Sequence, residues 1–261
     1  LGNHEVAMIG GLVGNEKLFY TWLGQGGLNV LIEVANHNNL EREKNWLLSL
    51  KNKGLNLYQL AVHIKEYEDY LRQEGSVAIL YNMLFSQEGT YHELFNNMKV
   101  FTQVDDVLYV HAGINLEWSE SLRKEGIDML NEKWQQALID SQNGDFTEFN
   151  NFNKAGVARG LDGVGGPFWA DFDGELERLP EQDIAQIAQN LKSIGVNAIV
   201  VGHSIKKTPT MSERFNKYGI KLIASDVGMS NYYTKGESGR GGVKIDVKGN
   251  IRAQSKEGIY K

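Results

Sequence analysis

The sequence predicts a mixed α/β (α+β) protein. Two segments, Val107 to Val110 and Ala198 to Ser204, are rich in aliphatic and β-branched residues, which is the composition of buried strands. Longer segments with apolar residues at helical spacing lie before and between them. Each predicted strand leads into a histidine, His111 or His203, beside a small residue or a glycine. Side chains released at such strand ends point into sites at a sheet edge, so both histidines are candidate site residues.

Composition restricts the classes of protein and of site. The chain has 261 residues, 33 acidic and 27 basic side chains, a formal net charge of −6 and no cysteine. The absence of a Lys/Arg-rich run argues against non-specific nucleic-acid binding, and no apolar run is long enough to span a bilayer. Without cysteine, a metal site would use His, Asp, Glu, Asn and water, which favours manganese, iron or zinc. With no internal repeat, we expect a single domain over 1–261.

The first hundred residues read as helical. A short apolar turn at Val6 to Ile9 gives way to a glycine-rich loop, and 16–23 form another helical turn that the glycines of 24–27 end. These glycines follow no predicted strand, so they do not indicate a dinucleotide-binding loop. From about Asn36 to Gly75 the pattern is helical, and residues 91–98 form a further short helix. One apolar stripe consists of Leu57, Leu60, Ala61, Ile64, Tyr67 and Leu71.

The remaining elements alternate in type. Residues 116–140 predict an amphipathic helix with Ile127, Leu130, Trp134 and Leu138 on one face. Residues 141–153 are polar and Asn-rich, which predicts a mobile loop. A helix begins after Pro180 and is capped at Gly195. Three further strand segments are predicted at Lys221 to Ser225, Gly242 to Val247 and Ile251 to Ala253, and the last two form a hairpin turning at 248–250.

Histidine and asparagine side chains provide the candidate metal ligands. Neutral imidazole and amide oxygen both suit a divalent metal, so Asn3, His111 and His203 are candidates. The alternative for the two strand-end histidines is a structural role in the core with satisfied hydrogen bonds. The other histidines of the helical region, His37, His63 and His92, have no second ligand type at metal-binding spacing and are interpreted as surface or packing residues.

Three blocks of the chain resemble a known superfamily. Gly2-Asn3-His4-Glu5 resembles the third signature block of the calcineurin-like metallophosphoesterases, which include the serine/threonine protein phosphatases. The segment from Val110 to Ile114 resembles the family's His-Gly-Gly block with an alanine in place of the first glycine. The strand that ends at His203 resembles the last histidine block. The three blocks occur in family order.

This resemblance implies a fold and a mechanism. The fold would be two packed mixed β-sheets flanked by helices. The cofactors would be two divalent ions (Mn, Fe or Zn) bridged by a carboxylate and a hydroxide. Asn3, His111 and His203 would bind metal, and His4 would be the general acid for the leaving group.

The phosphate-binding arginine and the subfamily stay open at this point. Gly166-Pro167-Phe168-Trp169 resembles a block of the bacterial Shewanella-like branch, whereas Trp169-Ala170-Asp171 is nearer to the Trp-Ser-Asp of the eukaryotic phosphatases. Arg159 and Arg240 are candidate phosphate ligands because each lies in a glycine-rich loop. The alternative for each is a solvent-exposed loop arginine.

The family's first two blocks, Asp-x-His and Gly-Asp-x-x-Asp-Arg-Gly, do not occur in the sequence. We therefore expect that the chain lacks the N-terminal strand-helix units and is inactive by itself, even with manganese. The resemblance predicts a metal-dependent phosphoesterase acting on phosphoproteins or small phosphomonoesters. A dinucleoside polyphosphate hydrolase is the alternative enzyme, and a non-catalytic binding domain is the alternative of another class. The sequence predicts neither compartment (cytoplasmic or periplasmic) nor oligomeric state.

Overall fold

The computed structural model describes residues 2–154, 163–204, 206 and 209–226 and three strands within 241–260. The described chain forms two compact units. Unit 2 comprises His4–Met98 and Ile139–Asp145, and unit 1 comprises the other described residues. Each unit is described by itself, and the expectation of a single domain stays a prediction. None of the described helices has the length and apolar character needed to cross a membrane.

Unit 2 is helical. Its helices are α1 (Asn3–Leu12), of which Asn3 belongs to unit 1, α2 (Glu16–Trp22), α3 (Leu28–His37), α4 (Glu41–Asn52), α5 (Leu57–Lys65), α6 (Glu68–Gln73), α7 (Ser76–Phe85) and α8 (His92–Asn96). A π-helical turn, Leu23–Gly27, links α2 with α3, and the helical path breaks there because Gly26 has a φ of +113°. The predicted stripe is only partly buried: Leu60, Ile64 and Leu71 are in the core, whereas Leu57 and Tyr67 are exposed.

Polar contacts connect the helices of unit 2. Glu43 of α4 is buried, and its carboxylate accepts hydrogen bonds from the backbone amide (2.9 Å) and the hydroxyl of Ser76. This carboxylate thereby caps the start of α7, where backbone amides lack intrahelical partners. The Arg72 guanidinium lies 4.6 Å from the centre of the Phe19 ring and donates to the Gly11 carbonyl at 3.1 Å.

Unit 1 contains all the described strands and the remaining helices. Its helices are α9 (Leu116–Glu125), α10 (Ile127–Gln142, with its last turn in unit 2), α11 (Thr147–Phe152), α12 (Glu181–Ser193) and α13 (Glu213–Lys217), and a 3-10 turn covers Leu176–Arg178. Its strands are β1 (Phe101–Val104), β2 (Val107–Val110), β3 (Ala198–Val201), β4 (Thr210–Met211), β5 (Lys221–Ala224), β6 (Gly241–Ile245), β7 (Ile251–Ser255) and β8 (Gly258–Tyr260).

The five-stranded mixed sheet has the order β1-β2-β3-β5-β4 and is flanked by helices. Strands β2, β3 and β5 are parallel neighbours, in the register that pairs Val110 with Val201 and Val201 with Ala224. The outer strands β1 and β4 are antiparallel to their neighbours. A separate antiparallel sheet has the order β6-β7-β8. The α/β class is therefore confirmed, and the calcineurin-like two-sheet sandwich stays a prediction.

Aromatic packing and one buried amide stabilise unit 1 beside β1 of the five-stranded sheet. Trp134 of α10 is fully buried, with its ring centre 5.5 Å from that of Phe149 and 5.4 Å from that of Phe152. Asn131, also buried, accepts from the backbone amides of Val100 and Phe101 and donates to the Phe101 carbonyl. Its amide thus satisfies backbone groups at the outer edge of β1, which would otherwise be buried without partners.

Three predicted elements differ from the structure. The glycine-rich loop expected after Ile9 begins later, because α1 continues through Gly10 and Gly11 to Leu12. The interpretation of 141–153 as a loop is wrong, because α11 forms there and buries Phe149 and Phe152. The helix predicted over 116–140 is two helices, since Gly126 between them has a φ of +84°, a left-handed conformation that glycine adopts readily. By contrast, Gly195 follows α12 with a φ of +79°, as the predicted cap requires.

An exposed ion-pair network joins the start of α12 to α13. The Glu181 carboxylate accepts hydrogen bonds from the Tyr218 hydroxyl (2.6 Å), the Arg214 guanidinium (3.1 Å) and the Lys217 ammonium (3.2 Å). These hydrogen bonds lower the pKa of Glu181 from 4.5 to about 2, and the one from Tyr218 has the largest effect. Because the pKa is lower in the folded state, this contribution to stability is present above pH 4.5 and is lost as pH falls towards 2.

We predict that the stability difference between the wild type and Glu181→Gln shrinks as pH falls from 6 to 2.5. Urea unfolding at several pH values measures it, and the difference stays small because solvent screens the exposed network. In a Tyr218→Phe background the pH-dependent part of this stability difference should be smaller, because the hydrogen bond with the largest effect on the pKa of Glu181 is gone. A difference that is independent of pH would contradict the assignment.

Candidate functional site

The two strand-end histidines lie at the same edge of the parallel sheet. Strands β2 and β3 pair in register up to Val110 and Val201, so the residues that follow them emerge together at the carboxyl edge. The backbone amide of Gly202 donates to the carbonyl of His111 at 2.7 Å, which continues the ladder by one bond. The ring centres of His111 and His203 are 5.3 Å apart, in an edge-to-face arrangement at 67°.

Asn3 meets the first of these histidines. Its side chain is 5% exposed, and its Oδ1 lies 2.8 Å from Nε2 of His111. An amide oxygen only accepts hydrogen bonds, so where these two atoms share a hydrogen bond Nε2 is the donor. The structure thus brings Asn3, His111 and His203, which are distant in sequence, together within unit 1.

A loop between α11 and α12 packs under the segment that follows His111. The amide of Ala112 donates to the Pro167 carbonyl at 2.8 Å, which fixes the chain just after the histidine. A Cβ on Gly113 would lie 2.5 Å from a methyl carbon of Leu176, so a larger residue here would require the Leu176 side chain to shift. Trp169, from the same loop, places its ring centre 5.8 Å from that of His203 at 80°.

Two carboxylates, one of them buried, shape this loop. Glu175 is 4% exposed, and its Oε2 accepts from the amides of Gly165 (2.8 Å) and Asp171 (3.2 Å). Asp171 in turn accepts from the amide of Gly174 through Oδ1 and from the hydroxyl of Ser204 through Oδ2, the latter at 3.3 Å. The glycine-rich segment is therefore a defined scaffold beside the histidines over its described part, 163–175.

One pair of candidate ligand atoms is spaced as two ligands of a single divalent ion would be. Bonds of about 2.0–2.2 Å to nitrogen and oxygen allow two ligand atoms of one ion to lie up to about 4 Å apart. The separation of 2.8 Å between Asn3 Oδ1 and His111 Nε2 is within that limit. Among the described residues, no group of three or more His, Asp or Glu side chains could hold a metal ion, so they supply no carboxylate-rich site for a second one.

The remaining predicted site residues are placed as follows. His4 lies in the first turn of α1 and is partly exposed. It therefore follows Asn3 on a helix, where successive side chains diverge by about 100°. His4 belongs to unit 2, and its role as general acid stays a prediction. Arg159 and Arg240 lie outside the described residues.

Three residues near the histidines were not identified from the sequence as site residues. Ser204 and Asp171 form the hydrogen-bonded pair described above, and they are 33 positions apart. Asp226 follows β5, and its Cβ lies 4.0 Å from the position that a Cβ on Gly202 would take. The sequence contained a signal for Asp226, because this residue follows the predicted strand at Lys221 to Ser225, as the two histidines follow their strands.

Comparisons with known proteins add little. No family model matches the chain, and no curated protein matches it. Matching solved structures include the cold-active protein-tyrosine phosphatase of a psychrophilic Shewanella species (22% identity, 71% of this chain, 51% of that chain, TM-score 0.47). A second structure of a cold-active protein tyrosine phosphatase matches at 22% identity, over 70% of this chain and 52% of that one, with a TM-score of 0.43.

The chain spans about half the length of these solved structures. TM-scores below 0.5 at 22% identity establish neither a shared fold nor a shared activity. The functional proposal is therefore based on the residues of this chain.

Proposed function

We propose that this chain is part of a metal-dependent phosphoesterase that hydrolyses phosphomonoesters, either of phosphoproteins or of small molecules. The observation that carries the proposal is the 2.8 Å approach of Asn3 Oδ1 to His111 Nε2, beside the ring of His203. Imidazole nitrogen and amide oxygen converge here at the carboxyl edge of a parallel sheet, where ligands of α/β proteins commonly bind.

Asn3, His111 and His203 would hold a divalent ion, such as manganese, iron or zinc. When bound, such ions neutralise phosphoryl charge and make water a better nucleophile at neutral pH, and the proposed enzyme uses two of them. A metal ion would bind Nε2 of His111 in its unprotonated form, so uptake of the ion would displace any proton that this nitrogen shares with Oδ1 of Asn3.

His4 would serve as the general acid in the proposed reaction. It adjoins Asn3 in sequence, and as an imidazolium it would donate a proton to the departing alkoxide oxygen of the ester. Arg159 and Arg240 remain the proposed ligands of the phosphate oxygens, since a guanidinium can make two parallel hydrogen bonds to such a group. The roles of His4, Arg159 and Arg240 are proposed from the sequence and not from distances in unit 1.

The test is a hydrolysis assay of the natural full-length protein on a chromogenic phosphomonoester, after metal removal and again after manganese is added. We expect turnover that disappears with chelator and returns with excess manganese. A dinucleoside polyphosphate in parallel distinguishes the alternative enzyme. Turnover that persists in chelator would contradict the metal-dependent mechanism. No turnover on either substrate, with manganese bound, would instead favour a non-catalytic binding domain.

A further inference from the structure

The backbone at His203 has an uncommon conformation. Its φ is +58°, and among the described non-glycine residues only Asn39 and Asp105 share a positive φ. The amide of Ser204 donates to the carbonyl of Gly202 at 2.6 Å, so a bond between residues i and i+2 closes a turn around His203. Such a three-residue turn with a positive central φ is rare and strained. Strain of this kind persists only where the surroundings enforce it.

Ser204 is the residue through which the surroundings act on this turn. It is 7% exposed, and its hydroxyl bridges to the neighbouring loop. The Oγ atom accepts a hydrogen bond from the amide of Phe172 at 2.9 Å and donates one to Oδ2 of Asp171 at 3.3 Å. Both partners belong to the loop that the buried carboxylate of Glu175 organises. A hydroxyl with a donor and an acceptor partner has little freedom to move.

The other side of the turn is held by the sheet. The amide of Gly202 donates to the His111 carbonyl at 2.7 Å, so the turn continues directly from the β2–β3 pairing. Between these two anchors, the imidazole of His203 lies with its ring centre 5.3 Å from that of His111 and 5.8 Å from that of Trp169. The imidazole of His203 therefore extends from a backbone turn that is held on both sides.

We propose that Ser204 is a positioning residue that, through Asp171 and the amide of Phe172, holds the strained turn and so directs the imidazole of His203 towards His111. This inference rests on the proposed function, in which His203 is a metal ligand. A relaxed turn would move the imidazole away from the donors of Asn3 and His111. The ion would then lose a correctly placed ligand, although every ligand residue is still present.

The experiment compares Ser204→Ala with Ser204→Thr, which keeps the hydroxyl. The matched control is Ser119→Ala, because Ser119 is also buried and its hydroxyl also donates to one group (the Leu116 carbonyl, 2.7 Å) and accepts from another (the Asn190 amide, 3.0 Å). Manganese affinity is measured by calorimetry on the natural full-length protein. NMR of labelled histidines in the metal-free protein monitors contacts of the His203 ring with the rings of His111 and Trp169.

We expect Ser204→Ala to bind manganese about 10-fold to 100-fold more weakly than the wild type, as outer-shell substitutions commonly do. Its ring contacts should be lost in the metal-free protein. Ser204→Thr should restore both, and Ser119→Ala should lower the urea midpoint without changing either. Asp171→Ala removes one of the two partners of the Ser204 hydroxyl, so it should weaken manganese binding in the same direction, and the loss in the double variant should be smaller than the sum of the two single losses, because both substitutions act on one bridge.

Unchanged ring contacts and manganese affinity in Ser204→Ala would overturn the proposal. So would an equal loss in Ser119→Ala, because the effect would then be one of general stability. If the wild type itself does not bind manganese, the proposed function fails. The positioning role is then decided by the metal-free ring contacts alone, so the two failures are distinguishable.

Discussion

Replacing His4 by Asn in the natural full-length protein is expected to reduce turnover of a phosphomonoester by about 10²–10⁴-fold, with bound metal nearly unchanged. A general acid acts on the leaving group in the transition state, and its loss typically costs a factor of this size. A metal ligand also acts in the ground state, so its loss would lower metal content. Turnover and metal content, measured on the same sample, separate the two roles.

The matched control is His37→Asn, because His37 is an exposed histidine at the end of another helix. It should leave turnover and metal content as in the wild type. A stoichiometric loss of metal in His4→Asn would show that His4 is a ligand. Unchanged turnover would show that it is neither ligand nor acid.

Replacing His111 by Ala is expected to weaken manganese binding by at least about 100-fold and to abolish measurable turnover. Loss of an outer-shell partner commonly costs 10-fold to 100-fold in metal affinity, so loss of a direct ligand should cost at least the larger factor. The substitution also leaves the buried amide oxygen of Asn3 without the partner that lies 2.8 Å from it. Calorimetry with manganese and the chromogenic assay measure the two effects.

His63→Ala provides the comparison for this substitution, since His63 is exposed on α5. Its manganese affinity and turnover should equal those of the wild type. If His111→Ala retains wild-type affinity, His111 does not bind the ion. The contact with Asn3 would then be only structural, as in the alternative interpretation of the strand-end histidines.

The central strands could be predicted because buried parallel strands have a distinctive composition. Strand β2 has the predicted bounds, Val107–Val110, and β3 begins at the predicted Ala198. Both are continuous apolar runs, as expected for strands covered on two faces. The outer strands β1 and β4 were missed, because three of the four residues of β1 and both residues of β4 are partly or fully exposed. Short edge strands carry little hydrophobic signal.

Helix α11 shows how local composition can mislead. The Asn-rich segment 141–153 has the polarity of a loop, yet Phe149 and Phe152 are spaced by three residues and both pack against Trp134. That spacing places two side chains on one helical face. Tertiary burial of the two rings therefore determined the structure, and the polar residues between them occupy the exposed face.

The site could be predicted only as far as sequence patterns extend. Asn3, His111 and His203 came from the family resemblance and from strand ends, and the structure brings these side chains together. The bridge from Ser204 to Asp171 spans 33 positions and involves no periodic pattern, so only the folded chain displays it. The positive φ of His203 likewise has no signature in composition or spacing.

Anomalous X-ray diffraction from crystals of the full-length protein grown with manganese is the most direct test of the proposed site. We expect an anomalous peak within about 2–2.5 Å of both Asn3 Oδ1 and His111 Nε2, with His203 completing the ligand set from this chain. The peak should be absent from His111→Ala crystals grown in the same way. Manganese bound elsewhere, with the Asn3–His111 contact intact and no peak beside it, would contradict the account.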